Sequence, residues 1–429
     1  MHPTFKILGV AVFASALCVP SARAQYPMGL SSTGPESAFA DRKEREARAA
    51  GAPYNLKAGP VKFKVGVGIR EEFNDNINLT KGDKQESDFI STAHLDLNAN
   101  WPITKLNTLD FTIGIAYSKY FSHQELDTES LIIKPNSMLD FNVYIGDLRV
   151  RLFDTFSIQE DPIDVPQVSG GTAKFRRMEN TVGIHGDWDL NKVVLGAGYQ
   201  YDTFEVLNSS GGTNDPALQG LDHATHIVDG SVAYRVNPSV MTGIRGNVSE
   251  TEYDSNQQNN STEESVGLFM EGKITPHISI NATVGYQMDE FDRGGSINDN
   301  SDFASYVYSA SVEHEVNKYY THRLSVNRYV LLGIGTNYSS LHEVRYGFDW
   351  NLIKDLTING ATFYQWLEDS GGGPTSENAS RYGFSLGATY PLFRQWNLGM
   401  GYDFILKDSN ISTNDYLQNR VFLDLTYHF

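Results

Sequence analysis

From Val61 to the last residue, apolar and polar side chains alternate with period two, segment after segment. Val61, Phe63, Val65, Val67 and Ile69 share one face, and Lys62, Lys64, Gly66, Gly68 and Arg70 the other. Further on, Leu109, Phe111, Ile113, Ile115 and Tyr117 oppose Asp110, Thr112, Gly114, Ala116 and Ser118. Successive side chains of a strand point to opposite faces, so the pattern describes two-faced strands. Eighteen such segments start near residues 61, 88, 107, 137, 148, 179, 191, 225, 239, 263, 277, 303, 320, 342, 355, 381, 395 and 417, and most run to 11–15 residues. Strands of soluble proteins average about 5–6 residues. A tilted strand that crosses a bilayer needs about 9–11. Length therefore favours a membrane.

The connections alternate as well. Short ones, such as Gly146-Asp147, Asn237-Pro238 and Thr275-Pro276, take turns with long polar ones at 122–136, 160–177, 207–224 and 369–380. Short periplasmic turns and long outer loops characterise an outer-membrane barrel. Both termini then lie on the periplasmic side, which requires an even strand count. Aromatic residues stand at both ends of the segments: Trp101, Trp188, Tyr234, Trp350 and Tyr390 toward the short turns, and Phe73, Phe121, Phe204, Tyr253, Phe291, Trp366 and Phe404 toward the long loops. The reading is two interfacial girdles. In lipid every backbone N–H and C=O must be paired within the protein, and closing the sheet removes its edge. The expected fold is all-β, a transmembrane antiparallel up-and-down barrel of about 18 strands, with 16 as the alternative. The weakest regularity lies at 137–160 and at 320–335, where Arg328 falls on the outward face and implies a bulge.

Residues 1–24 read as a secretory signal. Lys6 gives a positive n-region, Ile7 to Val19 an apolar core, and Ala22-Arg23-Ala24 a small-x-small cleavage site that leaves Gln25 first. Cys18, the only cysteine, would leave with it. Leu17 before Cys18 does not suit a lipid-anchor signal, so no anchor is expected. Residues 25–60 read as a periplasmic leader, disordered or a short helix around Asp41 to Ala50, and 61–429 as the barrel. Removing Lys6 and Arg23 from 34 basic residues leaves 32 against 52 acidic ones, a mature charge of −20. Such a chain repels nucleic acid.

Barrels of about 16–18 strands enclose an aqueous channel. The inward face carries candidate lumen-lining cations: Lys62, Lys64, Arg70, Arg149, Arg151, Arg235, Arg245, Arg345, Arg381 and Arg420. It also carries Asp96, Asp110, Asp140, Asp187, Asp229, Asp349, Asp403 and Asp424, with small residues such as Gly198, Gly383 and Gly401 that would keep the bore open. The arginines either guide an anionic solute or pair with aspartates of neighbouring strands and hold the wall. The outer loops hold most of the excess acid, including Gln85 to Asp88, Glu125 to Glu129 and Gln159 to Asp164, and read as a solvated surface beside lipopolysaccharide. Asp75-Asn76 and Asn298-Asp299-Asn300 lack a complete calcium-loop pattern, so no metal or cofactor is assigned. His94, His185 and His428 lie on the inward face and His123 and His223 in loops. No serine stands in a nucleophile motif, so no catalytic residue is assigned and no enzyme is expected.

The last strand presents Val421, Leu423, Leu425, Tyr427 and Phe429 outward, with Phe429 terminal. This resembles the assembly signal read by the barrel-assembly machinery, with Tyr427 and Phe429 its carriers. The run Phe73-Asn74-Asp75-Asn76-Ile77-Asn78-Leu79-Thr80, followed by Ser87-Asp88-Phe89-Ile90, resembles the opening hairpin of the β-barrel porin type 2 family. Asn74 and Ser87 depart from its usual residues. Members of that family often belong to exopolysaccharide export systems. The resemblance therefore implies an outer-membrane conduit for polysaccharide, partnered by periplasmic export components; the alternative is a general or solute-selective diffusion porin.

Overall fold

The computed structural model describes residues 54–429 apart from 173, 208–217, 219, 354 and 374–375, and without the side chain of 163. The segments read as a signal peptide and as a leader, as far as residue 53, lie outside the described residues. Eighteen staves form the wall: β1 Val61–Asn74, β2 Asp88–Pro102, β3 Thr108–Tyr120, β4 Met138–Ile145, β5 Leu148–Gln159, β6 Arg177–Asp189, β7 Val193–Val206, β8 His223–Asn237, β9 Val240–Tyr253, β10 Ser261–Thr275, β11 Ile278–Phe291, β12 Phe303–Asn317, β13 Tyr320–Leu332, β14 Tyr338–Ile353, β15 Leu356–Asp369, β16 Asn378–Phe393, β17 Trp396–Ser409 and β18 Tyr416–His428. Each pairs antiparallel with its sequence neighbours, and β18 returns to β1 from Gly66↔His428 to Asn74↔Arg420. The ring is closed, so no sheet edge faces lipid.

The outward faces carry the apolar set. Ile69, Val228, Leu268, Val284, Met400 and Leu423 are exposed on the outside of their strands, where lipid replaces water as solvent. Five inner turns repeat one device: the register slips at the strand end, at Arg235/Asn237, Lys273/Thr275, Glu315/Asn317, Asn351/Ile353 and Pro391/Phe393. Two short strands stand outside the eighteen. Ile132–Ile133 bridges β3 and β5, where β4 is short. Leu56–Ala58 folds back on Val61 to Phe63 through Gly59 at φ +59°, so the wall's inner rim begins inside the segment read as leader.

The expected bulge at Arg328 is absent. The β12–β13 ladder instead ends at Tyr308↔Arg328 while both strands run on. Beyond that point the β13–β14 hairpin leaves the wall and enters the lumen. Val330 and Leu332 pack on Phe303 and Val307 of the facing inner wall, and Leu331 and Leu341 pack on Leu367 and Ala379. Both faces of the hairpin are buried, which is why Val330-Leu331-Leu332 is a continuous apolar run rather than an alternating one. Arg328 Nη1 donates to Ser305 Oγ and to the Tyr306 carbonyl at 2.8 Å, filling the gap where the ladder stops.

Three aromatics expected in the outer girdle also turn inward. Phe204 and Phe291 are buried, and Tyr253 packs against the inner cluster of Phe303 and Val307. Their parity is that of the lumen-facing Asp202, Thr251 and Asp289. Trp366 and Phe121 remain exposed, and on the outside the Phe73 and Phe89 rings meet at 4.9 Å, tilted by 47°.

Candidate functional site

The long connection between β5 and β6, residues 160–176, crosses the lumen as a strap instead of facing solvent. Its base is tied by the Phe175 N–H donating to the Glu160 carbonyl, at 2.9 Å. Its far side is held by staves that follow β12 in the chain. Arg420 of β18 donates to the Asp161 carboxylate at 2.7 Å and lies 3.5 Å from Asp403. Lys407 of β17, fully buried, donates to the Pro166 carbonyl at 2.9 Å, to Ser169 Oγ at 3.2 Å and to Glu377 at 3.0 Å. Gln167 Nε2 donates to the Leu332 carbonyl of the inserted hairpin at 3.3 Å. Val165, Val168 and Phe175 pack with Phe204, Leu218, Leu221 and Ile334, so three connections meet in one apolar knot in the mouth.

The motif loop after β1 closes a further side. Asn76, fully buried, donates to the Thr80 and Leu417 carbonyls at 2.8 Å and accepts from the Thr80 N–H at 3.1 Å. Leu79, at φ 50°, packs among Phe363, Ile405 and Tyr416 of the inner wall. Its carbonyl accepts the N–H of Gly170 in the strap, and the Asn78 carbonyl that of Gly171, each at 3.2 Å. Gly170 and Gly171 have φ +77° and +112°, a conformation that glycine reaches without strain. The family-like motif is thus a seat for the strap.

Carboxylates meet guanidinium groups at this strap. Arg177, fully buried, donates to the Asp161 carbonyl at 3.0 Å and to Glu179 at 2.8 Å. Burial pushes the Asp164 carboxyl up to about 7, and neighbouring Asp161 adds to the shift; Arg177, Arg420 and Arg381 act against it. Glu160 is pushed up by burial too, against Lys174, Thr128 and Arg176. The acidic run Gln159 to Asp164, expected as solvated surface, is therefore largely interior: Glu160 and Asp164 are each 8% exposed.

The ten cations expected in the lumen lie on inward-facing wall positions. Seven contact carboxylates: Arg70 with Glu72 at 2.6 Å, Arg149 with Asp187 at 3.6 Å, Arg151 with Asp140 at 2.6 Å, Arg235 with Asp189 at 3.0 Å, Arg245 with Glu271 at 4.0 Å, Arg345 with Glu343 at 3.1 Å, and Arg420 as above. Arg381 donates to Gln365 at 2.9 Å. Lys62 lies 5.8 Å from the Tyr54 ring. Lys64 lies nearer the inner end of β1 than Gly66, where that strand first pairs with His428. At the chain end Tyr427 packs between Trp396 at 5.0 Å and Phe429 at 5.2 Å, and the Phe429 N–H donates to the Val65 carbonyl.

Four of the arginines share a construction that the alternation did not disclose. A glycine on one strand faces a phenylalanine on the next, whose ring lies over the bare backbone; the arginine then stacks on that ring. The triples are Gly401–Phe422–Arg70, Gly183–Phe153–Arg151, Gly243–Phe269–Arg245 and Gly383–Phe363–Arg345, with guanidinium-to-ring distances of 3.7, 4.6, 4.1 and 4.8 Å. A Cβ on Gly383 would stand 2.0 Å from Phe363 and one on Gly401 2.3 Å from Phe422. These glycines do not widen the bore; they accept rings that fix the arginines. Fixing a long side chain in advance removes the rotamer entropy that binding an anion would otherwise cost.

The histidines are engaged with wall groups. His94 lies 2.9 Å from Asp424 and 3.1 Å from Asp96, and His185 lies 3.2 Å from Asp187. Asp75 is taken by Asn419, and Asp299 by the backbone of Ser301 and Asn337 and by Ser370. No cluster of three or more acidic, histidine or cysteine side chains suited to a metal occurs among the described residues.

The model of the family described as "Putative beta-barrel porin 2" matches residues 50–429. No curated protein matches the chain. Among solved structures, OccK5 (OpdH) of Pseudomonas aeruginosa is 12% identical over 86% of this chain and 98% of that one, with a TM-score of 0.46. A BenF-like porin from Pseudomonas fluorescens Pf-5 is 11% identical over 86% and 99%, at 0.48. OccK2 (OpdF) of Pseudomonas aeruginosa, in complex with glucuronate, is 9% identical over 86% and 98%, at 0.47. Similarity at this level does not extend to a solute.

Proposed function

The chain belongs to the beta-barrel porin 2 family, and from that premise we propose that this outer-membrane porin is a solute-selective diffusion channel for small anions. One observation carries the reading: the strap at 160–176 is bound from the far wall by Arg420 and Lys407. A strap tied on both sides divides the bore into passages for small solutes. A polysaccharide conduit needs one continuous wide bore, so the alternative weighed from the sequence has the better support.

Selectivity for anions follows from where the cations stand. Arg70, Arg151 and Arg345 are held on aromatic rings with their side chains part-exposed, while the buried Arg177 and Arg420 hold the strap. A passage with carboxylates on the strap and guanidinium groups on the wall orients a passing carboxylate toward the wall. Bidentate geometry suits arginine to that task. Liposomes carrying the refolded protein test this reading. Small monocarboxylates should enter faster than neutral sugars of equal size, and long oligosaccharides should not enter. Entry of long anionic oligosaccharides at a comparable rate would return the account to an export conduit.

A further inference from the structure

We propose that the inner wall between β10 and β11 holds a calcium-type divalent cation, coordinated by Glu263 and Asp289. The two carboxylates stand directly opposite each other in the ladder and both face the lumen. They are 1% and 0% exposed. Neutral groups alone serve them in the structure: Asn247 Nδ2 donates to Glu263 at 2.8 Å, Ser249 Oγ approaches it at 3.5 Å, and Gln287 Nε2 donates to both oxygens of Asp289 at 2.9 Å. No lysine, arginine or histidine makes an ion pair with either carboxylate among the described residues. At Asp140, Asp187, Glu343 and Glu377 the wall supplies a cation to the acid.

Burying two like charges against each other without a counter-charge is expensive. A second observation says what relieves it. Gln287 is fully buried, and its Oε1 has no hydrogen-bond partner although its amide group lies against Asp289. Ser261, two positions before Glu263 on the same face and 4% exposed, likewise has an unpartnered Oγ. Two buried oxygens without a hydrogen-bond partner, on the same inward faces as the two carboxylates, complete an oxygen-only set. Amide oxygen and nitrogen are distinguished by their hydrogen-bond partners alone, and turning the Gln287 amide brings Oε1 to the carboxylates once a cation is there. Two carboxylates, an amide oxygen and a hydroxyl, completed by water, suit calcium, which takes 6–8 oxygens at variable geometry. Magnesium demands a tighter octahedron. The cation would tie β10 to β11 and cancel two negative charges beside the path of an anion.

The site does not depend on which solute passes. The test uses the full refolded chain in detergent micelles, stripped with chelator and then titrated with CaCl2 or MgCl2 by calorimetry and by thermal unfolding at pH 8. Calcium should bind at one site and raise the melting temperature, with magnesium clearly weaker. The double variant Glu263→Gln/Asp289→Asn should fold, melt no lower than the stripped wild type and lose the calcium response. Glu264→Gln, on the outward face, should keep it. If calcium leaves wild type unchanged, and stability instead falls as pH rises, a shared proton occupies the pair and the proposal is overturned. A calcium response that survives in the double variant also overturns it.

Discussion

Arg420 and Asp161 are 259 positions apart in the chain and five staves apart around the wall, yet the guanidinium donates to the carboxylate at 2.7 Å. That bond is one of the far anchors of the strap, beside Lys407 on Pro166 and Ser169. Replacing Arg420 with Ala should loosen the strap without unfolding the barrel, because Asp161 is half exposed and gains water in exchange. The expected outcome is a larger single-channel conductance and a weaker preference for anions. Unchanged conductance would show that the strap is held elsewhere.

The strap should respond to pH through Asp164. Burial, then Asp161, raises its carboxyl from the usual 3.8 to about 7. A raised acid binds its proton more tightly in the docked strap than in the free one. The docked state is therefore favoured fully below about pH 4, and this contribution is lost as pH rises through 7. Conductance should rise between pH 5 and 8. The Asp164→Asn variant should lose that slope, and a wild-type slope of opposite sign would contradict the assignment.

Lys407 and Glu377 form a fully buried pair at 3.0 Å. Removing either partner alone leaves a buried charge, at a cost of about 3–5 kcal/mol. Lys407→Met and Glu377→Gln should each lower the urea midpoint, and the double variant should recover most of the loss. Additive losses would mean that the two groups do not interact as described.

The barrel was legible in the sequence because period two is imposed by the pleat and by lipid on one face. Eighteen starting points read from alternation fall within four residues of the observed strands. What escaped was whatever left the wall. Alternation fails at Val330-Leu331-Leu332 because both hairpin faces are buried, and that failure was legible only as irregularity. The strap escaped because its acids are polar; composition says that they need partners, not that Asp161 finds Arg420 across the bore. The cross-strand glycine–phenylalanine pairs, such as Gly383↔Phe363, depend on register, which no single strand encodes.

Asn76 carries the motif loop. Asn76→Ala would leave the Leu417 and Thr80 carbonyls and the Thr80 N–H without their side-chain partner, at a cost of about 1–3 kcal/mol. Lower resistance to unfolding in detergent at elevated temperature is expected, read as the shift between folded and unfolded bands on a gel. Unaltered resistance would mean that the loop does not support the wall.

Deleting Phe429 removes the ring packed on Tyr427 and the N–H donated to Val65 at the barrel seam. The expected result is less protein assembled in the outer membrane and more degraded in the periplasm, with refolding in detergent only mildly slowed. Equal assembly would remove Phe429 from the assembly signal.

The most direct test of a strapped, anion-selective lumen is single-channel recording of the wild type beside a variant in which residues 162–171 are replaced by Gly-Ser-Gly. The wild type should give small, steady, anion-selective steps. The shortened strap should give larger steps with less selectivity. Identical steps from both, or no conductance from either, would contradict the claim that ions pass the strap.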